Sequence, residues 1–100
     1  MAHLQIVYWR DIPAQVVVKA DRRNQARREL PLRFTEAIDM AAMRDGAAET
    51  DEYLSEWRRS EPIEVGAALE DEADKAIAEL DTDYHQDRLV ALLKNGGREA

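Results

Sequence analysis

The sequence predicts an α+β domain: an N-terminal antiparallel β-hairpin, open to extension by a third short strand, packed with three to four α-helices. Three observations predict it. Residues 4–9 and 14–20 are strand-like runs flanking a polar corner, apolar residues then recur at three- and four-residue steps over 30–42, 69–80 and 84–93, and proline or glycine punctuates most joins.

In the first run Leu4, Ile6 and Tyr8 share one strand face and Val7 and Trp9 the other, because strand side chains alternate. Arg10, Asp11, Ile12 and Pro13 form the corner: Asp11 suits a turn, and Pro13 lacks the amide that a mid-strand ladder needs and biases Ile12 to an extended conformation. Residues 21–29 are polar throughout and fit either a loop or a short exposed helix. The spacing of Leu30, Phe34, Ala37, Ile38, Ala41 and Ala42 predicts a helix over 31–45, with Pro31 suited to its first turn and Gly46 to its C-terminal cap. Thr50 is a good N-cap for a second, short helix; Asp51 and Glu52 favour its positive end, and Tyr53, Leu54 and Trp57 fall on a side that faces the sheet. Residues 58–66, with Glu64 between Ile63 and Val65, read as an edge strand or as an extended connector.

From Ala67 a helical stripe runs through Leu69, Ala73, Ala76, Ile77 and Leu80, and acidic residues crowd its N-terminal turns. Asp81, Thr82 and Asp83 are a candidate break, after which Tyr84, Arg88, Leu89, Leu92 and Leu93 continue at helical spacing until Asn95, Gly96 and Gly97. Residues 1–97 are expected to form one domain and 98–100 a frayed tail. Helices on a single face would leave the other face of the sheet partly bare, with Val7, Trp9, Val16 and Val18 as candidates for it.

The segment Val7-Tyr8-Trp9-Arg10-Asp11-Ile12-Pro13-Ala14-Gln15-Val16, followed by basic residues and later by Tyr53-Leu54-x-x-Trp57, resembles a family of short bacterial proteins known as virulence factor domains. The resemblance spans most of the chain and includes no catalytic signature, so no residue is carried over as catalytic. It implies a module found alone or beside helical repeats, sometimes encoded near corrinoid and folate methyl-transfer enzymes. A methyltransferase component is therefore one candidate partner.

One hundred residues suffice for one modest core. Cysteine is absent, which excludes disulfides, thiolate catalysis and thiolate metal sites. No leader pattern is evident and the longest apolar runs are too short to span a bilayer, so the expectation is a soluble cytoplasmic protein without membrane contact. Charge is uneven: residues 1–44 carry eight Arg or Lys against five Asp or Glu, whereas residues 45–100 carry six against sixteen. Such a chain can dock head to tail on itself, or present a basic face to an anionic partner while the acidic half keeps it soluble.

Arg22, Arg23, Arg27 and Arg28 form the densest basic cluster. Guanidinium forks match carboxylates and phosphates bidentately, so the cluster either grips an anionic partner or is a solvated turn neutralised by the acidic half. Trp9 reads either as a core residue packed on the long helix or as an aromatic anchor flanked by Arg10. A pI near 4.8 opposes nucleic-acid binding, and no aromatic platform interleaves the arginines. Asp81, Asp83 and Asp87 imitate part of a calcium loop, but Gln86 stands where it needs glycine and Leu92 where it needs a carboxylate; Asp81 and His85 make only half a transition-metal site. No metal or cofactor is called for. Ser55 and Ser60 lack a nucleophile-elbow pattern, and the abundant carboxylates lack an apolar pocket, so no catalytic residue is assigned.

Two function classes follow. One is a non-catalytic cytoplasmic accessory protein whose partner-binding surface comprises Trp9, Arg10, Arg22, Arg23, Arg27 and Arg28. The other, resting on the resemblance, is a small-molecule-binding or accessory component of corrinoid- or folate-dependent methyl transfer, with the arginines meeting ligand phosphates or carboxylates. The first is the reading adopted, and an exposed hairpin edge also admits a homodimer.

Overall fold

Alternation along the first two strands builds the sheet outward from its centre. In the computed structural model, which describes residues 2–44, 46 and 51–98, β1 (Ala2–Trp9) and β2 (Ile12–Lys19) pair antiparallel with Leu4 opposite Val18 and Ile6 opposite Val16. Opposed residues share a face, so Val16 and Val18 lie on the core side with Leu4 and Ile6, and not on the second face expected of them. The register shifts between Val7 and Tyr8, which brings Tyr8 opposite Pro13; a bulge is where a missing amide costs the ladder least. The corner is tighter than predicted, with only Arg10 and Asp11 between the strands and Arg10 at a φ of 54°.

The stretch over 21–29 is neither loop nor helix for most of its length. Asp21 organises the turn that leads into it: the Arg23 and Asn24 amides donate to Asp21 Oδ1 at 2.8 and 2.9 Å, and Asn24 Nδ2 donates to Oδ2 at 3.0 Å. These bonds, that of the Asn24 side chain first, hold the Asp21 carboxyl below its ordinary pKa. The chain then returns as β3 (Gln25–Glu29), with Ala26 opposite Val18, Arg27 opposite Val17 and Arg28 opposite Val16. Local propensity for a strand is weak in QARRE; pairing with β2 supplies it.

Two short strands complete the other side of β1. After α1 (Leu32–Arg44) and α2 (Asp51–Ser55), β4 (Trp57–Arg59) pairs with the end of β1 and β5 (Ile63–Val65) with its beginning, giving five strands in the order β3-β2-β1-β4, with β5 also on β1. Ser60 stitches the gap between them: its Oγ accepts from the Ile6 amide at 2.9 Å and its own amide donates to Ile6 O at 2.9 Å. Residues 61–66 thus include the third-strand candidate, but Trp57 belongs to β4 and not to the helix of Tyr53. The Thr50 cap and the Asp45 end of the long helix lie outside the described residues, as does most of the 98–100 tail.

The helices α1, α3 (Leu69–Asp83) and α4 (Gln86–Lys94) bury Phe34, Ala37, Ile38, Ala41 and Ala42, then Ala73 and Leu80, then Leu89 and Leu92, against the core face. Each large apolar side chain buried this way contributes about 1.5–3 kcal/mol. Residues 81–83 do not break α3, which runs to Asp83 and ends at Tyr84. Arg33 holds Asp81 at 2.6 Å, and the Phe34 and Tyr84 rings meet edge-on at 6.1 Å, tying α1 to that end. No described helix is long and apolar enough to cross a membrane.

Candidate functional site

The hairpin corner gathers residues far apart in sequence. Trp9 is fully buried; its Nε1 donates to Tyr53 O at 2.9 Å, its ring lies 5.8 Å from that of Tyr53, and Tyr53 meets Trp57 edge-on at 6.0 Å. The strand register places Trp57 directly opposite Trp9. Arg10, only 3% exposed, stacks over Trp9 at 4.6 Å, donates from Nη1 to Gly96 O at 2.7 Å, and sits 3.4 Å from the Glu56 carboxylate. Main-chain bonds lock the same junction, from the Arg10 amide to Glu56 O at 3.1 Å and from the Asp11 amide to Gly97 O at 2.8 Å. Outside this layer Arg58 lies over Tyr8 at 4.5 Å, donates to Arg10 O at 2.9 Å and reaches Asp11 at 3.2 Å.

Every charge at the corner has a counter-charge from this chain. Arg98 meets the same Glu56 oxygen as Arg10, at 3.2 Å. Removing Glu56 would strand the buried Arg10 guanidinium without its counter-charge, which is why the arrangement is coherent only as a whole. Its chemistry is that of a clasp: the first turn, the α2–β4 junction and the C-terminal turn are held by one set of bonds.

Tyr8 is the titratable group this packing perturbs. Burial pushes its phenol above the ordinary value near 10, while Arg58 and Arg88 pull the other way. The folded chain therefore retains the phenolic proton at pH values where the unfolded chain loses it. The stabilisation from Tyr8 is complete below the ordinary phenol pKa and is lost as pH rises through the higher folded value. Urea midpoints measured from pH 8 to 11 are expected to fall more steeply in the parent than in Tyr8→Phe; superimposable profiles would refute the assignment.

A family model described as "Virulence factor" matches residues 7–93. The chain belongs to the virulence factor family. No curated protein and no solved structure matches it. The two motifs that carry the resemblance, residues 7–16 and 53–57, are what the corner of the virulence factor domain joins: Trp9 and Arg10 from the first close on Tyr53, Glu56 and Trp57 from the second.

Of the six residues expected to form one surface of the virulence factor domain, Trp9 and Arg10 are interior, because the α2–β4 junction and the C-terminal turn cover them. Arg28 points to the helix side, where Asp74 holds it at 2.9 Å and Glu70 lies 3.8 Å away. Half-exposed pairs of this kind contribute at most about 1 kcal/mol. Arg22 and Arg23 stand on the β2–β3 turn, and Arg27 shares the open sheet face with Val17. Lys19, opposite His3 and Gln25, joins them at that end. Sequence reading missed Lys19 because it sits apart from the arginine run; alternation from Val17 would have placed it on the same face. A shallow depression of about 360 Å³ opens beside it, lined by His3, Gln5, Val17 and Asp21. Among the described residues no three His, Asp or Glu side chains gather as a metal site.

Proposed function

We propose that this virulence factor domain is a non-catalytic accessory module that docks on an acidic protein surface through Lys19, Arg22, Arg23 and Arg27. One observation carries the reading. In a chain with 21 acidic residues, these four cations gather at one end of the sheet with no carboxylate partner for their side chains among the described residues; Arg10, Arg28, Arg33, Arg58 and Arg98 each have one, and Arg44, Arg59, Lys75 and Lys94, also without one, are scattered over α1, β4, α3 and α4. A cluster left unneutralised on a molecule of net charge −7 is a local positive field with a negative surround, which orients an acidic partner during encounter. Guanidinium forks then pair bidentately with its carboxylates.

The test is retention of partners from native extract by the parent and by Arg22→Glu/Arg23→Glu/Arg27→Glu, followed by reconstitution with the purified partner. All three positions are exposed, so the variant should keep its thermal transition. Expected is an acidic protein whose affinity falls with salt and drops at least about tenfold in the variant. A partner that binds both forms equally would end the reading. Should the partner prove to be a component of corrinoid- or folate-dependent methyl transfer, the accessory role would join the enzymes implied by the family resemblance.

A further inference from the structure

We infer that the slot between α3 and the β1–β5 side of the sheet is a docking groove for a basic amphipathic helix supplied by another protein. This site is separate from the basic end and opposite to it in charge.

The inference starts from an incomplete layer. α3 lies chiefly over β2 and β3, so the β1–β5 side is only partly covered on the face that carries the core: Ala2 and Leu4 are buried there, Ile6 and Val65 half-buried and Ile63 exposed. Register extends that face outward: Ile63 lies opposite Leu4, and Val65 opposite Ala2. Ile63 is consequently 54% exposed although its strand partner Leu4 is buried. The space above these residues is a groove of about 490 Å³, floored by Leu4, Ile6, Ile63 and Val65 and walled by Ala76 and Leu80 of α3.

The rim sets the chemistry of the occupant. Glu72, Glu79 and Asp83 follow one another along the groove side of α3, and Glu64 of β5 also lines it, against a single cation, Lys75. Glu72 is anchored by accepting from the Gly66 amide at 2.7 Å, while Glu79 and Asp83 are exposed and, among the described residues, their carboxylates take no hydrogen bond or ion pair. From Glu72 to Asp83 the wall runs about 16 Å at helical rise. An apolar floor with a carboxylate wall is complementary to a segment bearing one apolar stripe flanked by Lys or Arg.

That segment is a helix because the vacancy lies in the helix layer. A strand added to β5 would lie in the plane of the sheet and leave the space above Leu4 and Ile6 empty, whereas a helix laid beside α3 fills it and completes the two-layer architecture. A second copy of this chain is a poorer fit, since the exposed apolar residues of its α1, Leu32, Met40 and Met43, are interspersed with exposed Glu36 and Asp39, which the carboxylate wall would repel.

The test uses a labelled Leu/Lys peptide of about 14 residues with leucines at helical spacing, beside a scrambled peptide of equal composition, in about 150 mM salt. Fluorescence anisotropy with the full chain is expected to show the amphipathic peptide binding at least about tenfold tighter than the scrambled one. Glu79→Lys/Asp83→Lys and Ile63→Asp, each verified as folded by its thermal transition, should each weaken it about tenfold. The Arg22→Glu/Arg23→Glu/Arg27→Glu variant should bind it unchanged, which separates this groove from the proposed basic docking end. Equal binding of the scrambled peptide, or indifference to the groove variants, would overturn the inference. So would concentration-dependent dimerisation abolished by Ile63→Asp, which would assign the groove to a second copy.

Discussion

Trp9→Ala is expected to lower folding stability by about 3–5 kcal/mol, the cost typical of truncating a large buried aromatic side chain. The cavity would open beneath Tyr53, beside the stacked Arg10 and against Gly97, where neither the strand pairing nor the main-chain bonds of the corner allow much collapse. Since small domains hold only about 5–15 kcal/mol in reserve, the variant would unfold at modest urea concentrations. Trp9→Phe isolates one component: it keeps most of the apolar area but loses the Nε1 bond to Tyr53 O, and should cost about 1 kcal/mol for that bond plus the smaller ring. Urea denaturation of both variants decides the matter. A midpoint for Trp9→Ala within error of the parent would mean that the corner is not part of the cooperative core. Because Trp9 is interior, Trp9→Phe should also leave partner binding through the arginines unaltered.

Gly97→Ala is expected to cost about 2–4 kcal/mol, from two causes that act together. Gly97 has a φ of +85°, where an L side chain is disfavoured by about 1–2 kcal/mol. A Cβ there would come within 2.9 Å of Trp9 Cζ3 and 3.3 Å of Cε3, and relieving that overlap in a packed site costs about 1–3 kcal/mol. The Trp9 ring cannot simply retreat, since its indole is held by Tyr53 and its strand by Ile12 and Trp57. Thermal denaturation should register a fall of roughly 10–25 °C for a domain of this size. Gly46→Ala, also at positive φ but with nothing near the added carbon, measures the backbone cost alone and should lose less. Equal losses at the two glycines would remove the contact with Trp9 from the explanation.

Both predictions concern a region that sequence reading recognised as distinctive and left between two readings. The run through Tyr8, Trp9, Arg10 and Asp11 marks the corner, and Tyr53 and Trp57 mark a second motif, but period-two alternation leaves Trp9 open to either a core position or an exposed anchor on the second face. The core reading holds, with the α2–β4 junction and the C-terminal turn as its cover, and alternation could not choose it because it describes a strand in isolation, whereas the shift between Val7 and Tyr8 and the arrival of those segments decide what covers each side. The arginine run shows the same limit. Four adjacent charges look like one patch, yet strand geometry sends Arg27 and Arg28 to opposite faces, and α3 neutralises only the latter.

Elements whose own side chains repeat at the period of their secondary structure were determined by the sequence alone. The β1–β2 hairpin, α1, α3 and α4 each carry an apolar pattern long enough to specify the element and, in the helices, its buried face, and the acidic half announces the charge asymmetry. Only the tertiary structure decided β3, β4 and the corner. QARRE becomes a strand because Val16 to Val18 offer it a ladder, Trp57 leaves the helix of Tyr53 because Trp9 offers it another, and Arg10 is buried because Glu56 and Gly96 receive it. In each case the stabilising contacts come from residues of another element, so the segment's own pattern did not encode the outcome.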